Sequence, residues 1–377
     1  MSPTTDRDQA QIRAAFAQAR AQGLRAKEAA EAIGTTEGVA LAAHVSSVPP
    51  ELASLPVNQP LTAWTLKPDW LELLKSLEAC GPLMALTRNE TTVHEKTGVY
   101  TRISGNGHIG LVLGGDIDLR LFLQRWAGGF LVAEPGTQAD GRVKTSLQFY
   151  DARGVAVHKV FPVQGTQRGI WDMLVESWVD PGQAVVFDPS CPAEAKPTGA
   201  GLDVQALASD WAGMTDTHQF FALLKKHHVE RQHAFRAMRG RFTRQVAASA
   251  VQQALYRAAF DGLPIMMFVG NVGCIQIHTG PVQRIEPMDL HGKRWLNVLD
   301  KGFNLHLRED QIGHCWVVEK PTDDGVVSSL EVFDVQGEPM AMLFGERKPG
   351  QPERQGWKDL LADLSTLPEC DLEPEPV

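Results

Sequence analysis

Cysteine is scarce: five occur in 377 residues, none in a CxxC pair and with no regular spacing. That argues against a disulfide scaffold or a structural zinc site. No apolar run approaches the ~20 residues that a membrane span needs. The opening stretch, MSPTTDRDQAQIRAAFAQAR, is polar and lacks the apolar core of a signal peptide. These absences predict a soluble, reduced, cytoplasmic protein. Positive charge is in deficit, with 36 Lys plus Arg against 45 Asp plus Glu and a net charge of −9. That excludes a nucleic-acid or anionic-membrane partner for the molecule as a whole, while leaving room for a local basic patch. There is no Walker loop, GxSxG, HExxH, or GxGxxG within a βαβ context. Nucleotide-binding, serine-hydrolase, zinc-protease and dinucleotide readings weaken accordingly. Gly105-Asn106-Gly107 and Gly114-Gly115 read as turns.

What is present is enough to build large cores: 43% hydrophobic and 21% charged residues. The length suits two or three domains. An internal repeat organises it. Ser146–Gly154 (SLQFYDARG) matches Ser329–Gly337 (SLEVFDVQG), and Asn89–Gly98 (NETTVHEKTG) matches Asn271–Gly280 (NVGCIQIHTG). The offsets are 183 and 182 residues, so both pairs belong to one duplicated sheet unit. In the first pair the alternation suits a strand, and the Asp and Gly after it suit a tight turn. A weaker helical match sets Gln22–Gly34 over His228–Gly240 at an offset of 206. Closing helices are expected near Gly169–Trp178 and Glu353–Leu364. Short strands with hairpin-length links favour antiparallel pairing. The fold class predicted is α+β: two tandem repeats, each a large twisted antiparallel sheet with flanking helices. The boundaries predicted are an N-terminal half over 1–187, a Pro/Ala/Gly-rich linker over 188–210 and a C-terminal half over 211–370. The acidic tail from Pro368 is expected to fray.

The densest polar cluster, His218 to Arg244, reads as helical. It holds His218, Lys225, Lys226, His227, His228, Arg231, His233, Arg236, Arg239, Arg241 and Arg244 against a single acid, Glu230. A solvated helix face and a docking surface for carboxylates or phosphates both fit this run. His218 lies beside Phe220, Phe221, Leu223 and Leu224. Such a histidine reads as an ordinary core or surface residue, or as the imidazole an iron porphyrin requires among apolar rings. His227 and His228 point about 100° apart on a helix, so they chelate one ion poorly. Cys191-Pro192 offers a weaker thiolate alternative.

Five ordered blocks now carry a resemblance: LTRNETTVHEKTGVY (Leu86–Tyr100), GDIDLRLFLQRWA (Gly115–Ala127), MTDTHQFFALLK (Met214–Lys225), FVGNVGCIQIHTG (Phe268–Gly280) and EKPTDDGVVSSLEVFD (Glu319–Asp334). The chain resembles the bacterial hemin-degrading factor, or HemS-like hemin transport, family over nearly its whole length. The resemblance implies a cytoplasmic, internally duplicated protein that binds one heme b between its halves. It implies His218 as the axial iron ligand, in the DxHQFF motif, and Arg120 as the distal, catalytic group, in IDLRLF. It implies Arg231, Lys320 and Arg347 as propionate partners, and Phe220, Phe268 and Phe344 as pocket walls. Met342 and Phe344 depart from the family pattern, which has a Gln and a Tyr there. Two activities stay open. One is oxidative degradation of the heme to release iron, which needs an electron donor. The other is a non-catalytic carrier that takes heme from an inner-membrane importer to a separate heme oxygenase. His227, His228 and His233 near the ligand favour handover.

Overall fold

The computed structural model describes residues 6–136, 142–192, 195–290, 292–347 and 350–365. Two compact units divide the chain. The first takes Met1–Arg88, Glu95–Pro192 and Asn271–Gln276; the second takes Asn89–His94, Ala193–Gly270 and Ile277–Val377. The expected halves were continuous, whereas the observed units each include a short segment from the other half.

In chain order the first half contains α1 (Asp6–Ala21), α2 (Ala26–Ala32), α3 (Glu37–Ala42), β1 (Thr62–Thr65), α4 (Trp70–Ser76), β2 (Leu83–Arg88), β3 (Thr92–Gly98), β4 (Ile103–Gly105), β5 (Ile109–Leu113), β6 (Asp118–Phe122), β7 (Gly128–Glu134), β8 (Lys144–Tyr150), β9 (Ala156–Pro162) and α5 (Arg168–Ser177). The second half contains α6 (Val204–Ala212), α7 (Gln219–Lys226), α8 (Arg231–Ala237), β10 (Thr243–Val246), α9 (Ala250–Phe260), β11 (Ile265–Gly270), β12 (Cys274–Gly280), β13 (Ile285–Leu290), β14 (Lys293–Asp300), β15 (Phe303–Arg308), β16 (Ile312–Thr322), β17 (Gly325–Asp334), β18 (Pro339–Gly345) and α10 (Gln355–Ala362). The strands form large antiparallel sheets with flanking helices, the α+β class expected.

Topology shows the duplication directly. The first half orders five antiparallel strands β1-β7-β8-β9-β2, and the second orders β10-β16-β17-β18-β11. Each half also contains a three-strand antiparallel meander, β4-β5-β6 and β13-β14-β15. Both turns expected after the SLQFY and SLEVF strands form. Asp151 Oδ1 accepts from the backbone of Arg153 and Val155, and Asp334 Oδ1 accepts from Gln336 and Glu338. Gly154 and Gly337 close them at φ 77° and 81°, where a side chain is strained. The Asn89/Asn271 match is equally literal. Asn271 Oδ1 accepts from Gly273 and Cys274, and its amide donates to Arg88 and Val157 carbonyls. Asn89 Oδ1 accepts from Thr91 and Thr92, and its amide donates to Gly270 and Met340 carbonyls.

The helical match holds with a one-residue correction. The N-caps are Arg25 and Glu230, and the C-caps Ile33 and Met238, which sets α2 over α8 at 205 rather than 206. The expected linker over 188–210 contains the start of a helix. Asp203 accepts from the backbone of Gln205 and Ala206, and Leu207, Ala208 and Trp211 then bury one face of α6. The tail from Pro368 lies outside the described residues.

In the second unit the five-stranded sheet is covered on both faces. α9 and α10 cover one, with Val251, Leu255, Leu330, Val332 and Trp357 buried together. α6, α7 and α8 cover the other, with Trp211, Phe220, Phe235, Trp316 and Phe333 buried together.

Candidate functional site

The basic run from His218 to Arg244 is not one helix. α7 ends at His227, His228 adopts a left-handed φ of 49°, and α8 begins at Arg231. The run then turns at Gly240 (φ 76°) into β10. The break changes what each residue can do, because side chains expected along one face are delivered to different places.

His218 caps the N-terminal end of α7 with its side chain 87% exposed. Its backbone N–H and its Nδ1 both reach Asp216 Oδ1, at 2.7 and 2.6 Å. A ring that donates from Nδ1 keeps Nε2 bare and outward, the arrangement seen in metal-ligating imidazoles. These two hydrogen bonds, with the Arg347 charge a smaller contributor, lower the Asp216 carboxyl below its ordinary range. Phe221 follows three residues later on the same side of the helix and is 74% exposed.

Below α7 lies a buried ion triad. Glu331 on β17 is fully buried. Arg231 grips it in fork geometry, Nε to Oε2 at 2.6 Å and Nη2 to Oε1 at 2.9 Å. Lys320 on β16, only 2% exposed, reaches Oε1 at 2.7 Å. Burial would raise the Glu331 carboxyl, but Arg231 and Lys320 outweigh it and hold it down to about 2. Burial lowers the Lys320 ammonium, against the opposing pull of Glu331. Two cations and one anion leave the triad a single net positive charge.

Aromatic rings join these groups. The Phe220 ring lies 5.0 Å from the Arg231 guanidinium and 4.8 Å from Lys320 Nζ. The Lys320 ammonium is also 5.7 Å from the Phe344 ring, which meets Phe268 edge-on at 5.1 Å. Phe268 and Phe344 sit on β11 and β18, which pair antiparallel. Met342, which stands where the family pattern has a Gln, accepts weakly from Arg231 through Sδ at 3.5 Å. Arg347 follows β18; its Nη1 is buried without a hydrogen bond and lies 3.9 Å from Asp324.

The structure therefore brings Phe220, Arg231, Lys320, Phe268 and Phe344 into one contact chain, with His218 and Arg347 coupled through Asp216. Arg120 belongs to the first unit, on β6 opposite Leu111 of β5, where its guanidinium bonds Asp118. His227 does not extend the site: its Nε2 is bonded to Asp210, which also takes Lys226. His233 packs its ring against Gly199. Two residues escaped the sequence reading. Asp216 had a signal, two positions ahead of His218 in the same motif. Glu331 had a subtler one: it shares its strand face with Ser329, so SSLEVFD places polar groups where a core face would be apolar.

A duplicated α+β protein with an outward imidazole, a carboxylate that orients it and a buried cluster of cations among aromatic rings is the class defined so far. The chain belongs to the haemin-degrading HemS.ChuX family, whose model matches twice, over residues 50–178 and 228–364. It is 40% identical over 302 residues to the hemin transport protein HmuS of Yersinia pestis, covering 79% of this chain and 85% of that protein. The crystal structure of holo-PhuS, a heme-binding protein from Pseudomonas aeruginosa, superposes with a TM-score of 0.85 at 41% identity, over 95% of this chain and 99% of that one. ChuS, described as an E. coli heme oxygenase, superposes with a TM-score of 0.79 at 34% identity, over 94% and 99%.

Proposed function

We propose that this protein binds one heme b through His218 and degrades it oxidatively, releasing iron. The observation that carries the reading is the Asp216–His218 pair: an exposed ring whose Nδ1 is committed to a carboxylate and whose Nε2 is left for a metal. The residues fit an iron porphyrin on other grounds too. Arg231 and Lys320 sit among Phe220 and Phe344 with one net positive charge, and Arg347 Nη1 is buried without a hydrogen bond. Propionate carboxylates supply the anions such groups take.

When bound, heme supplies both the iron that activates oxygen and the ring that is opened, with electrons from an external donor. The chain supplies the rest. His218 would ligate iron from Nε2, and Asp216 holds the Nδ1 proton and the ring orientation. Arg231 and Lys320 would take a propionate, with Glu331 keeping both side chains in place; Arg347 would take the other. Phe268 and Phe344 line the pocket with Phe220 behind them. Arg120, assigned by its IDLRLF motif, would contribute a permanent positive charge that stabilises developing negative charge. Asp118 orients it.

One observation favours the carrier reading as well. The His218 ring is almost wholly exposed, which suits a ligand that must let go. A hemin titration followed by reductant and oxygen, with catalase present, separates the two. Degradation predicts loss of the Soret band despite catalase. A carrier retains the band and passes its heme to an added heme oxygenase.

A further inference from the structure

A second cleft opens on the opposite face of the same sheet. Successive strand residues face opposite ways, so Lys320 points to the ion triad while its neighbour Glu319 points into this cleft. The cleft holds about 470 Å³, within the range of small-molecule sites. Its lining includes Arg241, Phe242, Arg244, Val326 and Lys358.

Three cations thus face Glu319, in a chain whose net charge is −9, and Glu353, which accepts from the Ser328 N–H of the lining, lies within electrostatic reach of Lys358 alone among them. Among the described residues none of the three forms an ion pair. Arg244 has a structural task, donating to the Leu361 and Leu364 carbonyls at the end of α10. Burial lowers its pKa, with Glu319 opposing. Arg241 and Lys358 have no such task. The apolar wall is equally defined: Phe242 stacks flat on the buried Trp211 at 5.4 Å and 3°, and the Arg241 guanidinium lies 5.3 Å from its ring. A fixed aromatic wall flanked by unpaired cations recognises a flat apolar body that carries acid groups.

We infer that this cleft binds an organic anion with a flat apolar body and one or two carboxylates. It shares no side chain with the His218 site, so both are filled at once. The test is equilibrium dialysis of 1-pyrenebutyrate against hemin-loaded protein, with uncharged 1-pyrenebutanol as its partner probe. One saturable equivalent is expected, with the Soret band unchanged. Arg241→Glu combined with Lys358→Glu weakens it tenfold or more, and pyrenebutanol binds at least tenfold more weakly than the acid. Val326→Trp, on a half-exposed strand position, fills the cleft without touching the charges and lowers binding similarly; it serves if the charge-reversed variant fails to fold. Absence of saturable binding, or binding indifferent to both variants and to the probe's charge, overturns the inference. The same dialysis on hemin-free protein gives the answer independently if hemin loading itself fails.

Discussion

The ion triad concentrates the energetics of the second unit on one carboxylate. Glu331 is buried with two cations, so its removal leaves both uncompensated in a low-dielectric site, whereas its presence costs desolvation that the pairs offset. Glu331→Gln is expected to destabilise the protein by about 3 kcal/mol, the usual scale for removing one member of a buried ion cluster. Combining it with Lys320→Met recovers part of that loss, which urea denaturation of the single and double variants measures. At the proposed iron ligand the expected pattern differs. His218→Ala changes the ferric spectrum and weakens hemin binding strongly, although burial of the ring's apolar surface persists. Asp216→Asn keeps the spectrum but weakens binding by roughly 10- to 100-fold, because the imidazole loses its orienting carboxylate. Hemin titrations of the two variants check this, and an unchanged spectrum in His218→Ala sinks the ligand assignment. His218 could be singled out as the candidate ligand because a motif surrounds it. Glu331 was not, because what makes it matter is burial across a strand pair, 100 residues from Arg231 in sequence.

Elements were legible where local chemistry forces a shape. The two Asp-x-x-Gly turns follow from Asx hydrogen bonding and a left-handed glycine, and both formed. Their surroundings differ, which gives a paired test of one motif. A Cβ on Gly154 would lie 2.4 Å from Thr36 Oγ1, whereas one on Gly337 meets only the flexible Gln232 amide at 3.1 Å. Both Gly→Ala changes incur about 1 kcal/mol for the left-handed backbone. Gly154→Ala is expected to lose at least another 1 kcal/mol through the clash, seen as the larger drop in Tm. The basic run was misread for the opposite reason. His228 takes a left-handed φ that no residue pattern announces, and it splits one expected helix into two. α6 was missed although its Asp203 cap stood in plain sequence, because the Pro- and Gly-rich stretch before it masks the onset.

At the scale of the whole chain, duplication of the fold has not duplicated the site. The position matching Glu331 at the 183-residue offset is Gln148, and its amide is satisfied by Ser146 and Tyr150 in a neutral network. The position matching His218 at the helical offset is Arg13, which bonds the Ala43 carbonyl. One hemin per chain is therefore expected; a titration that breaks at two equivalents, both histidine-bound, contradicts it. The first unit keeps a different buried polar device. His158 is fully buried, with Nδ1 on Thr87 Oγ1 at 2.9 Å and Nε2 on the Tyr100 hydroxyl at 2.8 Å. Burial pushes its pKa down to about 3. An unfolded histidine titrates near 6.5, so below that pH the unfolded chain takes up a proton that the native state refuses. Stability is thus fully present above pH 6.5 and declines as the pH falls toward 3, by at most about 1.4 kcal/mol per unit from this residue. Partly buried His44, also lowered chiefly by burial, adds in the same direction. Glu331 acts in a lower window, below the ordinary carboxylate range, because its folded value is about 2. Urea unfolding between pH 7 and 5 reads the histidines, with Glu353, whose carboxyl burial raises, acting in the opposite direction. His158→Gln lowers overall stability but flattens the decline across that range, and an equal slope in variant and wild type removes His158 as its cause.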